Sequence, residues 1–239
     1  MNLILTMAGK YQRFIDEGYR IPKFLLPWGE KTILETIIFE LNRESTFDNI
    51  FLVANSRDEL FMPHVRKVLN KINIPKSNLI LIDDTPGQVH TAYEALKRIK
   101  YFDKHINSPV FFHNIDTILY KRKFENIREC FNDNDGFIDV FKSNNHTYSY
   151  VLIDKGYVQS IEEKILISNL STSGLYGFSS SKLFLSYFDE SDSYISELYK
   201  RIINDKGKII TSKPHTEKET LVLGTPSAYL SSAHMLDIL

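Results

Sequence analysis

Two cations follow the first apolar run of the chain. Leu3–Ala8 reads LILTMA, then come Gly9-Lys10-Tyr11-Gln12-Arg13-Phe14, and nine residues after Arg13 stands Pro22-Lys23. Cations beyond a strand end suit a polyanion: in open α/β sheets ligands bind there, where loops diverge and helix N-termini leave N–H groups unpaired. The bland alternative is a pair of solvated surface cations. A second apolar run, Pro109-Val-Phe-Phe-His113, ends in Asn114-Ile115-Asp116. One carboxylate at such a place is chemically sufficient to anchor Mg²⁺, which takes hard oxygen ligands from one or two carboxylates and completes its shell with phosphate oxygens. Alternatively, Asp116 caps a helix that begins near Leu119. His113 reads as a packing or hydrogen-bonding residue, because no second His or Cys stands at ligand spacing. In Asp84-Thr-Pro-Gly87-Gln88-Val-His-Thr91, Gly87 and Gln88 can offer backbone amides and a side-chain amide to the edge of a base. Plain helix-start chemistry explains the same Pro-Gly turn equally well. Glu162-Glu163-Lys164 and Ser173-Gly174-Leu175-Tyr176-Gly177-Phe178 complete the set. Taken separately, these two are a solvated charge run and an ordinary strand.

The elements that must position these residues follow from hydrophobic patterning. Leu3–Ala8, Asn49–Ala54, Asn78–Asp83 and Pro109–His113 are short apolar runs of the kind buried on both faces of a parallel sheet. Between them, Thr32–Arg43 repeats apolar positions every three or four residues through Ile33, Leu34, Ile37, Ile38 and Leu41, and Asp58–Ile72 and Val89–Ile99 do so less regularly. This alternation predicts an α/β fold with a mostly parallel sheet and helices on both faces. After about residue 136 the rhythm changes to strand-like Gly136–Lys142, Tyr148–Ile153, Tyr157–Glu162 and Ser173–Ser179, then helices at Ser181–Phe188 and Tyr194–Ile203 and a strand at Lys208–Ser212. These should add mixed or antiparallel strands to the same sheet. No linker, repeat or low-complexity tract interrupts the series, so a single domain over 1–239 is expected.

Composition narrows the function classes. A chain of 239 residues with 43% hydrophobic and 25% charged residues suffices for one three-layer domain. A net charge of −1 supplies no global field for nucleic acid or an anionic membrane, so bound phosphate must be held by local cations and backbone donors. The single cysteine, Cys130, cannot form an internal disulfide and lies in the helix-like run KFENIRECF. The start MNLILTMAGK lacks the basic region and the length of a signal sequence, and no later run approaches a membrane span, so a cytoplasmic location is expected. No G-x-G-x-x-G follows the first strand, which argues against a dehydrogenase.

In combination, the motifs resemble the sugar-phosphate nucleotidylyltransferases, also called nucleotide-sugar pyrophosphorylases. Their signature is Ala-Gly-x-Gly-x-Arg…Pro-Lys, and the variants of capsule and surface-polysaccharide synthesis are the nearest. Met7, Ala8, Gly9, Arg13, Phe14, Gly18, Tyr19, Pro22, Lys23 and Leu25 match that pattern. The resemblance implies a three-layer α/β/α, Rossmann-like and GT-A-like fold, and transfer of NMP from an NTP to a sugar phosphate or similar small phosphate with release of pyrophosphate. It implies catalytic roles for Arg13, Lys23 and Asp116, with Mg²⁺ on Asp116. Met7, Ala8, Gly9, Gly87 and Gln88 would bind the nucleotide, and Asn114, Glu163, Lys164 and Gly174 the acceptor. Three departures stand out: Gln12 occupies the place of a small hydroxyl residue, Tyr11 that of the second loop glycine, and Val222 that of an Asp that often completes the metal site ahead of Gly224-Thr225-Pro226. The last two motivate one alternative, a catalytically degenerate nucleotide-binding subunit. The other is a GT-A-type glycosyltransferase using a nucleotide sugar, although it has no evident use for the Arg13 and Lys23 pair. The sequence leaves homo-oligomerisation and the choice of base open.

Overall fold

The computed structural model describes residues 1–124 and 126–233. The end of the expected domain, 234–239, lies outside the described residues. The chain opens with β1 (Asn2–Met7), a short α1 (Gln12–Asp16), the hairpin of β2 (Pro27–Trp28) and β3 (Lys31–Thr32), and α2 (Ile33–Leu41). Next come β4 (Asn49–Asn55), α3 (Met62–Lys71), β5 (Leu79–Ile82), α4 (Gln88–Arg98), α5 (Tyr101–Lys104), β6 (Val110–Asn114), β7 (Thr117–Leu119) and α6 (Ile127–Cys130). The second half holds β8 (Gly136–Lys142), β9 (Ser149–Asp154), β10 (Tyr157–Glu163), β11 (Leu170–Phe178), α7 (Ser181–Tyr187), α8 (Ile195–Asn204), β12 (Ile209–Thr211), β13 (Thr220–Val222) and α9 (Pro226–Ala233).

The main sheet runs β10-β9-β11-β6-β1-β4-β5, with β8 pairing β11 and β12. Strands β5, β4, β1 and β6 are mutually parallel, while β11 lies antiparallel to β6 and β8. This is the α/β, mostly parallel mixed sheet that the patterning predicts, with antiparallel strands added by the second half. Chain order reverses at β1: β4 and β5 build outward on one side, and β6 lies on the other. Such a switch point opens a crevice beyond the carboxyl ends of the strands, because the loops from adjacent strands leave in opposite directions.

Side chains alternate across β1. Leu3, Leu5 and Met7 enter one core with Leu34 and Ile37 of α2 and Val65 and Leu69 of α3. Ile4 and Ala8 enter the other with Val89 and Ala92 of α4 and Leu198 of α8. Helix α2 begins at a capping box: the Glu35 N–H donates to Thr32 Oγ1 at 3.2 Å, and the Thr32 N–H to Glu35 Oε2 at 2.8 Å. The expected helix from Asp58 starts only at Met62. A 3-10 turn over Ser56–Phe61 precedes it, begun by Asn55 accepting the Arg57 N–H at 2.9 Å, and it carries a buried Asp58. Among the described residues no helix is long and apolar enough to cross a membrane.

One alternative is corrected. Asp116 caps no helix near Leu119; the chain continues as β7, which pairs antiparallel with β13 through Thr117↔Val222, Ile118↔Leu221 and Leu119↔Thr220. Each strand is too short for alternation to reveal it, and long-range pairing decides the conformation. A buried ion pair joins this ribbon to the main sheet. Arg122 and Asp139 are 1% and 0% exposed and meet at 2.9 Å. Arg122 also donates to the Glu219 carbonyl at 2.8 Å and to Thr220 Oγ1 at 2.7 Å, so every side of the guanidinium is used. Arg122→Met is expected to lower stability by about 3–5 kcal/mol, because it strands the Asp139 carboxylate in the interior. Urea unfolding would register this as a lower midpoint, and Arg122→Met/Asp139→Leu should recover most of the loss. An unchanged midpoint in the single variant would show that the ribbon does not depend on the pair.

Candidate active site

A cavity of about 950 Å³ opens at the carboxyl ends of β1 and β6. Its walls include Ala8, Gly9, Arg13, Lys23, Gly87, Gln88, Asn114, Asp116, Glu163, Lys164 and Gly174. All the expected site residues thus converge there except Met7. That residue is 1% exposed and packs in the core beneath α1 with Phe14 and Phe24. The correction follows from strand alternation: Thr6 and Ala8 line the cavity, so Met7, between them, faces away.

Lys23 and Asp116 stand at the centre. Lys23 Nζ donates to Asp116 Oδ2 at 2.6 Å, while Oδ1 has only a 3.4 Å contact from the Thr117 hydroxyl. Burial disfavours the charged carboxylate, but the Lys23 ammonium outweighs it and holds the acid below its usual range. Asp116 is therefore ionised at neutral pH with one oxygen turned to a cation and the other open. Its carbonyl accepts the Leu223 N–H at 2.6 Å, and Val222, opposite Thr117, lines the same cavity without offering an oxygen. Among the described residues no group of three His, Cys, Asp or Glu could hold a metal on its own. A divalent ion at Asp116 would take the rest of its shell from bound phosphates and water, which suits Mg²⁺.

The wall on the side of β1 and α4 carries Gly9 and Gly87. Tyr11 adopts the left-handed region at φ 38 and ψ 36, a conformation that costs a non-glycine residue on the order of 1–2 kcal/mol. Tyr11 thus holds a backbone conformation that glycine enters freely, and the tyrosine ring is not among the cavity walls. A Cβ at Gly9 would meet nothing within 4 Å, so what glycine preserves there is open space over the cavity. Gly87, just ahead of α4, is extended, yet a Cβ would run into the Ser193 carbonyl oxygen. The side-chain amide of Gln88 donates to Asn114 Oδ1.

The opposite wall comes from the antiparallel strands. Gly174 has φ +87, and a Cβ there would lie 2.6 Å from Asn114 Nδ2, so both conformation and close approach require glycine. Glu163 ends β10 and accepts from the hydroxyls of Ser149 and Ser196. Lys164 turns out of the strand at φ 58 and donates to the Tyr194 hydroxyl at 2.8 Å, its ammonium 4.7 Å from that ring's centroid. The hydrogen bond to Tyr194 raises its pKa, and Arg13 is close enough to oppose the rise. Lys164 also has the Glu163 carboxylate at 4.0 Å, and Arg13 and Lys164 both line the cavity.

Sequence patterning missed Asn145, Thr147, Tyr148, Ser149, Thr172, Tyr176 and Tyr194 in the walls. The polar tract Ser143-Asn-Asn-His-Thr-Tyr-Ser149 carried a signal: it follows β8, which runs parallel to β6, so it leaves the sheet at the same edge. Tyr194 was marked only as a helix start, where the Glu197 carboxylate accepts its N–H at 2.8 Å.

No family model and no curated protein matches the chain. Solved structures do. A nucleoside-diphosphate-sugar pyrophosphorylase from Vibrio cholerae RC9 is similar with a TM-score of 0.84 at 21% identity, over 97% of this chain and 99% of that one. The inositol-1-phosphate CTP transferase of T. maritima is similar at 0.72 and 11%, over 99% and 94%. A UDP-glucose pyrophosphorylase complexed with UDP-glucose is similar at 0.74 and 14%, over 99% and 98%. This chain thus has the α/β fold shared by these nucleotide-sugar pyrophosphorylases and nucleotidyltransferases.

His113 supports the site from below. Its Nε2–H donates to the Thr117 carbonyl at 2.7 Å, and Nδ1 is buried with no partner among the described residues. Burial holds the neutral ring, lowering its pKa from 6.5 to about 4. The unfolded chain therefore binds a proton that the folded one refuses. The stability His113 contributes is complete above 6.5 and is lost as the pH falls toward about 4. Between about pH 7 and about pH 5 the wild type should lose about 2 kcal/mol more than His113→Gln, which keeps a donor for Thr117. Thermal or urea unfolding at the two pH values measures this, and parallel curves for the two proteins would refute it.

Proposed function

We propose that this chain is a nucleotidylyltransferase that moves NMP from an NTP to a sugar phosphate or similar small phosphate and releases pyrophosphate. Capsule or surface-polysaccharide synthesis is the proposed setting. The observation that carries the proposal is the placing of cations on both sides of one carboxylate: Arg13 and Lys23 from the β1 side, Lys164 from the β10 side, and Asp116 between them in one cavity. A site meant to bring two polyanions together needs that distribution. One that holds a single nucleotide sugar does not need the second set.

In this reaction an oxygen of the acceptor phosphate forms a bond to the α-phosphorus, the bond from that phosphorus to the α,β-bridging oxygen breaks, and pyrophosphate leaves with the electron pair. No proton need move. The open loop at Gly9 would receive the phosphates, Arg13 would balance the charge gathering on pyrophosphate, and Lys23 the charge at the α-phosphate. Lys164 would draw the acceptor phosphate inward, with Glu163 accepting from the sugar hydroxyls and Gly174 leaving room beside the sugar. Gly87 and Gln88 would meet the base. Mg²⁺, held by Asp116 and the nucleotide, would supply further charge neutralisation. Positioning and fixed charges account for the rate, as expected for phosphoryl transfer.

Pyrophosphate release over a panel of NTPs and sugar 1-phosphates tests the proposal. With the accepted pair, Asp116→Ala and Lys23→Ala should each lower kcat by about a hundredfold or more. Full rate in either variant would remove its assigned role, and release of a nucleoside diphosphate from a nucleotide sugar, with no pyrophosphate formed, would favour a glycosyltransferase. Val222→Asp adds a second carboxylate beside Asp116. It is expected to lower the Mg²⁺ concentration for half-maximal rate by about tenfold, through the added ligand charge. No change in that concentration would place the metal elsewhere.

A further inference from the structure

The reaction leaves one feature of the phosphate loop unexplained. Tyr11, left-handed at φ 38, stands where the resemblance has glycine. Its hydroxyl donates to Asp58 Oδ1 at 2.5 Å. Asp58 is 1% exposed, and its Oδ2 has no hydrogen-bond partner among the described residues. The neighbouring Arg57 donates to the Ala8 carbonyl at 2.7 Å, pairs with Asp84, and lies 6.0 Å from the centre of the Tyr11 ring. One 3-10 turn beyond β4 therefore grips the loop at both ends, Ala8 through Arg57 and Tyr11 through Asp58.

Glycine enters the left-handed region freely, whereas a tyrosine must be held there. A strained residue persists only where its surroundings over-determine it. Here the restraint is a buried carboxylate whose hydrogen bonding, among the described residues, depends on the tyrosine hydroxyl. If Tyr11 swings into the commoner backbone regions, the carboxylate is left unpaired in the interior, at a cost larger than the bond itself contributes. Resting on the nucleotidyl-transfer reading, we propose that Tyr11 and Asp58 form a latch that holds Ala8–Arg13 in the triphosphate-binding shape. Both are positioning residues. The latch supplies by side-chain anchoring what a second loop glycine would supply by conformational freedom, and it acts on the NTP half of the cavity alone.

Titration calorimetry of the wild type with ATP, GTP, CTP, UTP and dTTP in Mg²⁺ buffer selects the tightest NTP. Tyr11→Phe and Asp58→Ala are each expected to weaken it about tenfold, the loss of one charge-assisted hydrogen bond. Asp58→Asn, which still accepts from the tyrosine, should cost no more than about threefold. The KM for the acceptor phosphate should not move. Tyr11→Gly should bind within about threefold of wild type, and adding Asp58→Ala to it should cost nothing further, because the latch is already dispensable. Equal affinity in Tyr11→Phe and wild type, additive losses in Tyr11→Gly/Asp58→Ala, or a matching fall in acceptor affinity would each overturn the latch. If Asp58→Ala does not fold, Tyr11→Phe against Tyr11→Gly decides. A wild-type protein that binds none of the five NTPs overturns the nucleotidyl-transfer reading itself, and the latch with it.

Discussion

The parallel pairing of β1 with β6, in register from Asn2↔Val110 to Thr6↔Asn114, is the constraint on which the site depends. Two strands running the same way side by side must release their following loops at the same edge. The segment Ala8–Arg13 therefore emerges next to Asn114–Asp116, although more than a hundred residues separate them in the chain. Strand β4, on the far side of β1, delivers Arg57 and Asp58 to the same edge. A slip of one residue in β1 would turn Met7 toward the cavity and Thr6 into the core, so burial of Leu3, Leu5 and Met7 enforces the alignment that the chemistry needs.

The second half of the cavity obeys a different rule. Strand β11 is antiparallel to β6 and bulges between Thr172 and Tyr176, which lets Gly174 come against Asn114. The β9–β10 hairpin sets Glu163 opposite Ser149 and turns Lys164 inward. The parallel half thus contributes Gly9 and Gly87 together with Arg13, Lys23 and Gln88, and the antiparallel half contributes side chains of mixed polarity. Between them Lys23 pairs with Asp116 at 2.6 Å, while Lys164 has the Glu163 carboxylate at 4.0 Å and Arg13 near enough to oppose it.

Backbone geometry at the loops shows how differently one requirement can be met. Gly174 is needed for both its positive φ and its contact with Asn114, while Gly87 is needed only because Ser193 crosses it. At Tyr11 the left-handed region is kept without glycine, by a hydroxyl anchored on a buried acid. Judging such a position by residue type alone mistakes its conformation, because the deciding partner, Asp58, lies far away in the sequence.

The sequence by itself determined the elements and their order. Apolar runs located β1, β4, β5 and β6 to within a residue or two, the three-and-four spacing located α2, and the change of rhythm after Gly136 announced the antiparallel strands. These are local signals, set by burial on one or both faces. The order of Arg13, Lys23, Gln88, Asp116, Lys164 and Gly174 was likewise legible, as was the polarity of the loops that carry them. Tertiary structure decided the rest. Whether Met7 or Thr6 faces the cavity depends on which helices cover which face of β1. Whether the segment after Asp116 becomes helix or strand depends on β13 arriving from residue 220 onward. The entry of Tyr148 and Tyr194 into the walls, and the hold of Asp58 on Tyr11, rest on contacts between segments that no local window contains. Hydrophobic periodicity records how much of a residue is buried, but it holds no information about the distant partner that buries it.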